Sequence, residues 1–223
     1  MRGLLVFITI WSINIQIFSQ RIDIATEVKM LALGDSYTIG ESVALNQRWP
    51  HQFVSELRKL GVIAEDPDYI ATTGWTTKNL LEGMEVKLAA GKTYNLVSIL
   101  IGVNNQYQGI DITTYSPDLK LIIEQALEIA GQDPSRVFML SIPDYAYTPF
   151  GQGNPTISQE IDAYNAVNRE LASKYNITWV DVTPISRKGI ENSDLVASDG
   201  LHPSSQQYKT WVQRILAFIS FSW

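Results

Sequence analysis

Cysteine is absent from all 223 residues. Disulfides, thiolate nucleophiles, cysteine-bearing zinc sites and a lipidated amino-terminal cysteine are thereby excluded. Histidine is scarce: His51 and His202 are the only two, so any mechanism that needs an imidazole base must choose between them. Positive charge is in deficit, with 17 Lys+Arg against 23 Asp+Glu and a formal net charge of −6. That balance disfavours nucleic acid or an anionic membrane surface as the main partner and suits a neutral or cationic ligand. Internal repeats, low-complexity tracts and linkers are also missing. No apolar run reaches the roughly 20 mainly apolar residues that a spanning helix needs.

The nearest approach to such a run, Leu4 to Phe18 behind Met-Arg-Gly, is interrupted by Thr9, Ser12, Asn14 and Gln16 and followed by Ser19-Gln20-Arg21. This order predicts a signal peptide over residues 1–19, cleaved after Ser19. The mature chain then begins at Gln20, is secreted or periplasmic, and keeps no stable membrane anchor. With 45% hydrophobic and 18% charged residues, residues 20–223 have enough apolar material for one sizeable core, so a single domain is expected.

Along that domain short apolar runs alternate with amphipathic stretches. Strands are predicted at Val28–Leu33, Tyr69–Thr72, Leu96–Ile101, Val137–Ile142 and Thr178–Val182, most of them closed by Gly or a polar turn. Helices are predicted at Trp49–Leu60, Thr77–Ala90, Pro117–Ala130 with Ser116 as its cap, Ile157–Tyr175 and Ser204–Ser220. Strands alternating with helices mean a parallel sheet covered on both faces. One long irregular stretch, Asp144 to Thr156, is rich in Pro, Gly, Tyr and Phe and is read equally as a pocket wall or a surface loop.

In an open parallel sheet, ligands sit beyond the carboxyl ends of the strands, and four polar blocks fall there. Gly34-Asp35-Ser36 follows the first strand and presents Ser36 on a tight turn, although Gly, Asp and Ser are also ordinary turn residues. Thr72-Thr73-Gly74-Trp75 follows the second strand and Gly102-Val103-Asn104-Asn105 the third. The N–H of Gly74, the amide of Asn104 and the N–H of Ser36 are suitable donors for an oxyanion, while a turn glycine and a capping asparagine are the plainer readings. Ser198-Asp199-Gly200-Leu201-His202-Pro203 follows the fifth strand. A carboxylate three residues before an imidazole can hold the tautomer that takes a proton from serine. His51 falls inside a helical pattern and is read as a packed or exposed helical residue.

These four blocks, in this order, resemble those of the SGNH (GDSL) hydrolases, and the resemblance spans the chain from the first strand to the last helix. It implies a flavodoxin-like three-layer α/β/α sandwich around a five-stranded parallel sheet. By matching position it implies Ser36 as nucleophile, His202 as base, Asp199 as its orienting partner, and Ser36, Gly74 and Asn104 as oxyanion donors. Tyr37 stands where the namesake motif has leucine, a change expected in the pocket wall. Ile101-Gly-Val-Asn-Asn-Gln-Tyr107 and Ser141-Ile-Pro-Asp144 are most similar to esterase or lysophospholipase-like members.

The implied reaction is the two-step cleavage of a carboxylic ester through an acyl-enzyme on Ser36, with no metal or organic cofactor. The substrate is expected to be a small-molecule, glycan or lipid ester. Gly-x-Ser-x-Gly is absent around Ser36, which disfavours the α/β-hydrolase fold. Two alternatives remain open: a deacetylase of acetylated glycans, and a non-catalytic carbohydrate-binding module using Trp75, Tyr107, Tyr145 and Tyr147. Phosphate binding is disfavoured because no glycine-rich loop with a lysine follows a strand.

Overall fold

The computed structural model describes residues 20–88 and 91–222; the expected signal peptide, residues 1–19, lies outside them. In chain order the elements are β1 (Ile22–Ile24), β2 (Glu27–Val28), β3 (Met30–Gly34), α1 (Ser36–Ile39), α2 (Trp49–Lys59), β4 (Ile63–Ala64), β5 (Asp68–Ala71), α3 (Thr77–Leu88) and β6 (Leu96–Leu100). They continue with α4 (Val103–Tyr107), α5 (Ile112–Ile129), β7 (Val137–Leu140), α6 (Pro155–Lys174), β8 (Thr178–Val180), α7 (Thr183–Ser186), α8 (Ser205–Leu216) and β9 (Ile219–Phe221).

Five strands pair in the order β5-β3-β6-β7-β8, all parallel. This is the flavodoxin-like order, in which the chain starts inside the sheet, steps to one edge and then returns across the first strand to build the other side. Crossing helices therefore cover both faces, and the central strands carry no polar alternation. Every residue of β3, β6 and β7 is buried, as an apolar run of that kind requires. On one face Trp49 and Phe53 of α2 meet Phe138 of β7 edge-on, at centroid distances of 6.3 and 6.0 Å. α2 packs on α8, and α3 on α5, which also touches α6. Among the described residues no helix is long and apolar enough to cross a membrane.

Several boundaries shift by one or two residues from the sequence reading, and three departures have an identifiable cause. The first strand does not run unbroken from Val28, because Asn95 takes over the backbone of Lys29. Its side chain accepts the Lys29 N–H at 2.8 Å and its own N–H donates to the Lys29 carbonyl at 3.1 Å. β2 therefore pairs separately, with β4. Helix α5, the third of the predicted helices, begins at Ile112, not at Pro117, since Asp111 caps it by accepting the Thr113 N–H at 2.8 Å. Pro117 then sits inside the helix, at the loss of one backbone bond. The last helix stops at Leu216, and Ile219–Phe221 instead pairs in parallel with Ile22–Ile24, joining the two ends of the described domain.

Candidate active site

The order of strands decides what meets at the carboxyl edge. β5, β3 and β6 are neighbours, so the turns carrying Gly74, Ser36 and Asn104 lie side by side at the point where the chain reverses direction across the sheet. Gly34 is required for the middle turn: a Cβ there would lie 2.1 Å from Thr38 Oγ1 and 2.2 Å from the Leu100 carbonyl. Asp35 caps α1 by accepting the Tyr37 N–H at 3.0 Å. Ser36 is thus the first residue of α1, and its own N–H has no acceptor within the helix.

His202 arrives from the opposite end of the chain. Its Nε2 lies 3.0 Å from Ser36 Oγ, and its Nδ1 lies 2.6 Å from Asp199 Oδ2. Asp199 Oδ1 accepts the N–H groups of Leu201 and His202 at 2.9 and 3.0 Å, and Oδ2 accepts a second bond from the Ser42 hydroxyl at 2.6 Å. Burial of the Asp199 carboxyl pushes its pKa up, but these donors outweigh that effect and hold it well below the usual carboxylate range. An ionised Asp199 can only accept, so Nδ1 carries the imidazole proton and Nε2 is left as the acceptor for the Ser36 hydroxyl.

The donor side is fastened by α4. Asn104 donates one amide hydrogen to the Trp75 carbonyl at 3.0 Å, and Gln108 donates to the Gly74 carbonyl at 3.2 Å. These bonds clamp the turn carrying Gly74, which adopts φ +82, a conformation that favours glycine. The other amide hydrogen of Asn104 remains available to a ligand. Ser36, Gly74, Asn104 and His202 all line one open cleft of about 220 Å³, together with Tyr37, Thr73, Val103, Tyr107, Tyr145, Phe150 and Leu201.

All the sequence-selected site residues thus come together. The chain also matches the GDSL-like lipase/acylhydrolase family over residues 32–210. It belongs to that family. Membership makes the protein a carboxylic ester hydrolase. Among solved structures this acylhydrolase is similar to TesA, at 18% identity and a TM-score of 0.68, covering 85% of this chain and 97% of that one. It is similar to Axe2, an acetylxylan esterase from Geobacillus stearothermophilus, at 19% identity and a TM-score of 0.68, covering 88% of this chain and 95% of that one. It is also similar to the esterase EstA from Pseudoalteromonas sp., at 14% identity and a TM-score of 0.65, covering 85% of this chain and 95% of that one. Among curated protein sequences none matches significantly.

The remaining candidates separate. The irregular stretch after Asp144 does wall the cleft of this acylhydrolase, through Tyr145 and Phe150. With Tyr107 these rings form a triangle of centroid distances 6.1–6.3 Å. Trp75 instead lies over Gly83 of α3, and Tyr147 is not in the wall. His51 stacks on Tyr69 and its Nδ1 lies 2.6 Å from that hydroxyl, outside the cleft. Phe150, Gln108 and Ser42 were not singled out by the sequence reading. Phe150 carried a signal in the aromatic-rich loop, whereas Ser42 carried none.

Proposed function

We propose that this acylhydrolase cleaves short-chain carboxylic esters through an acyl-enzyme on Ser36. The observation that carries this reading is the Asp199–His202–Ser36 hydrogen-bond relay. His202 Nε2 takes the hydroxyl proton as Ser36 Oγ attacks the ester carbonyl, and Asp199 stabilises the imidazolium that forms. Negative charge gathers on the carbonyl oxygen, to which the N–H groups of Ser36 and Gly74 and the Asn104 amide donate. The imidazolium returns its proton to the leaving alcohol. Water then enters, gives its proton to His202 as its oxygen attacks the acyl carbonyl, and His202 returns that proton to Ser36 Oγ as the acyl–Ser36 bond breaks and the acid leaves.

The cleft supports a short acyl group. Its volume of about 220 Å³ lies below the range of drug-sized sites, and its walls are mainly apolar. Tyr107 and Phe150, 60% and 50% exposed at the rim, offer flat faces to the alcohol part, whether aryl, glycan or lipid. A panel of p-nitrophenyl esters of increasing chain length, run beside acetylated glycans, tests the reading. The highest kcat/KM is expected for the shortest acyl groups; a rise toward long chains, or an intact ester throughout, contradicts it.

We further propose export: the charged start, apolar run and small-residue boundary of residues 1–19 support cleavage after Ser19 and a secreted or periplasmic enzyme. Mass spectrometry of the mature protein should find Gln20 first; an uncleaved amino terminus in the exported fraction contradicts this.

A further inference from the structure

The residues directly after the nucleophile helix tie its two flanking loops together without touching the reacting atoms. Gly40 ends α1 in the left-handed conformation, at φ 69, and the Glu41 N–H donates back to the Ser36 carbonyl at 3.0 Å. Two residues on, Ser42 again takes a positive φ, of 65, without being glycine. A serine held there is a sparsely populated conformation that persists where contacts over-determine it.

The contacts are specific. The Ser42 hydroxyl donates at 2.6 Å to Asp199 Oδ2, the same oxygen that accepts the His202 Nδ1–H. The adjoining Glu41 carboxylate accepts from the Thr73 hydroxyl, one residue before Gly74. One dipeptide therefore reaches the carboxylate behind the base on one side and the turn with the oxyanion glycine on the other. Both are anchored to the helix that begins with Ser36.

We propose that Glu41 and Ser42 are positioning residues for hydrolysis, a clamp that sets Asp199 and the Gly74 turn relative to Ser36; this rests on the triad reading above. Ser42 saturates Asp199: two backbone N–H groups hold Oδ1, and Ser42 shares Oδ2 with the imidazole. Without the hydroxyl, Oδ2 keeps the imidazole as its one side-chain partner and the ring gains freedom to swing from Ser36. Since neither residue lines the cleft, the loss falls on kcat and leaves KM.

The test compares Ser42→Gly, which accepts the left-handed backbone without a hydroxyl, with Ser42→Asn, which tolerates that backbone and supplies an N–H donor. Glu41→Ala and Glu41→Gln form the matching pair for Thr73. For S42G and E41A, kcat on a short-chain p-nitrophenyl ester should fall about tenfold, as for loss of a hydrogen bond to a charged group. KM and Tm should stay near wild type, and S42N and E41Q should restore most of the loss. In S42G the downfield proton resonance of the His202 Nδ1–H should weaken, whereas the His51 signals stay. Wild-type kcat in S42G and E41A overturns the clamp. If S42G loses Tm, S42N decides: kcat restored with native Tm supports the role, and kcat lowered tenfold with native Tm overturns it. Ser36→Ala is the control, because an active S36A overturns the triad reading itself, whereas an inactive S36A beside an unaffected S42G overturns the clamp alone.

Discussion

The ring of Tyr37 stands edge-on to the imidazole of His202, with centroids 5.5 Å apart and planes at 62°. Tyr37 is buried, and its carbonyl accepts the Tyr208 hydroxyl at 3.1 Å, so the ring is a fixed wall beside the base. In the proposed mechanism it supports the imidazole by contact alone. Burial, and then the nearby carboxylate of Asp35, push its hydroxyl well above the usual tyrosine range, which keeps it neutral. Tyr37→Leu, which places the residue of the namesake motif there, should change kcat on the shortest ester by no more than about fivefold, since an aromatic contact contributes of the order of 1 kcal/mol. Chain-length preference should broaden as the wall recedes. Kinetics on the ester panel measure both; a loss of activity as large as that of Ser36→Ala would make Tyr37 part of the chemistry.

Asn104→Ala should lower kcat by about 10²–10³ with a smaller effect on KM, on the scale found for single oxyanion donors. Because the Asn104 amide also holds the Trp75 carbonyl, Tm should be recorded beside the kinetics. A wild-type kcat at unchanged Tm would restrict Asn104 to fastening the turn.

Asp35 gives a pH dependence of stability. Burial raises its carboxyl from 3.8 to about 7, against the lowering effect of the Tyr37 N–H, and its Oδ2 is buried without a partner among the described residues. Between about pH 4 and 7 the unfolded chain has lost this proton while the folded chain keeps it. This group therefore lowers stability as pH rises, by on the order of 1 kcal/mol per pH unit across that window, and adds no further loss above it. Asp35→Asn keeps an oxygen to cap α1 and removes the titration. Thermal unfolding at pH 5 and pH 8 should show a smaller drop in Tm for D35N than for wild type; equal drops would mean that Asp35 does not titrate in this range.

Arg187 neutralises a carboxylate that has no access to solvent. Its Nε lies 2.9 Å from Asp144 Oδ2, whose side chain is 0% exposed, while its other end reaches Asp162 at 2.7 Å. Asp144 also accepts the Ala146 N–H at 3.0 Å and so shapes the turn that carries Tyr145 into the cleft. Arg187→Met should cost about 3 kcal/mol, the lower end for removing one partner of a buried pair. Denaturant unfolding measures it, and a cost below about 1 kcal/mol would show that Asp144 is stable without the guanidinium.

The parts of this protein legible in its sequence are those whose cause is local. The central strands are short apolar runs because both faces of a parallel sheet are covered; Gly34-Asp35-Ser36, Gly74 and Asn104 each follow a strand directly, and Asp199-x-x-His202 lies in the loop just before α8, where the type of residue limits its use. Features set by distant partners were not legible. Lys29 breaks the first strand only because Asn95 folds onto its backbone, and Ile219–Phe221 becomes a strand only because Ile22–Ile24 lies beside it. Ser42 reads as an ordinary loop serine until Asp199, 157 residues away, is brought to its hydroxyl. Ser116-Pro117 imitates a helix start, but Asp111 is the better placed cap and its side chain does the capping.

The central claim is that Ser36 is the nucleophile, and covalent labelling tests it most directly. Incubation with an organophosphorus fluoride followed by peptide mapping should place a single adduct on Ser36, formed at a rate that drops sharply in His202→Ala. An adduct on any other serine, with Ser36 unmodified in the inactivated enzyme, would contradict the account.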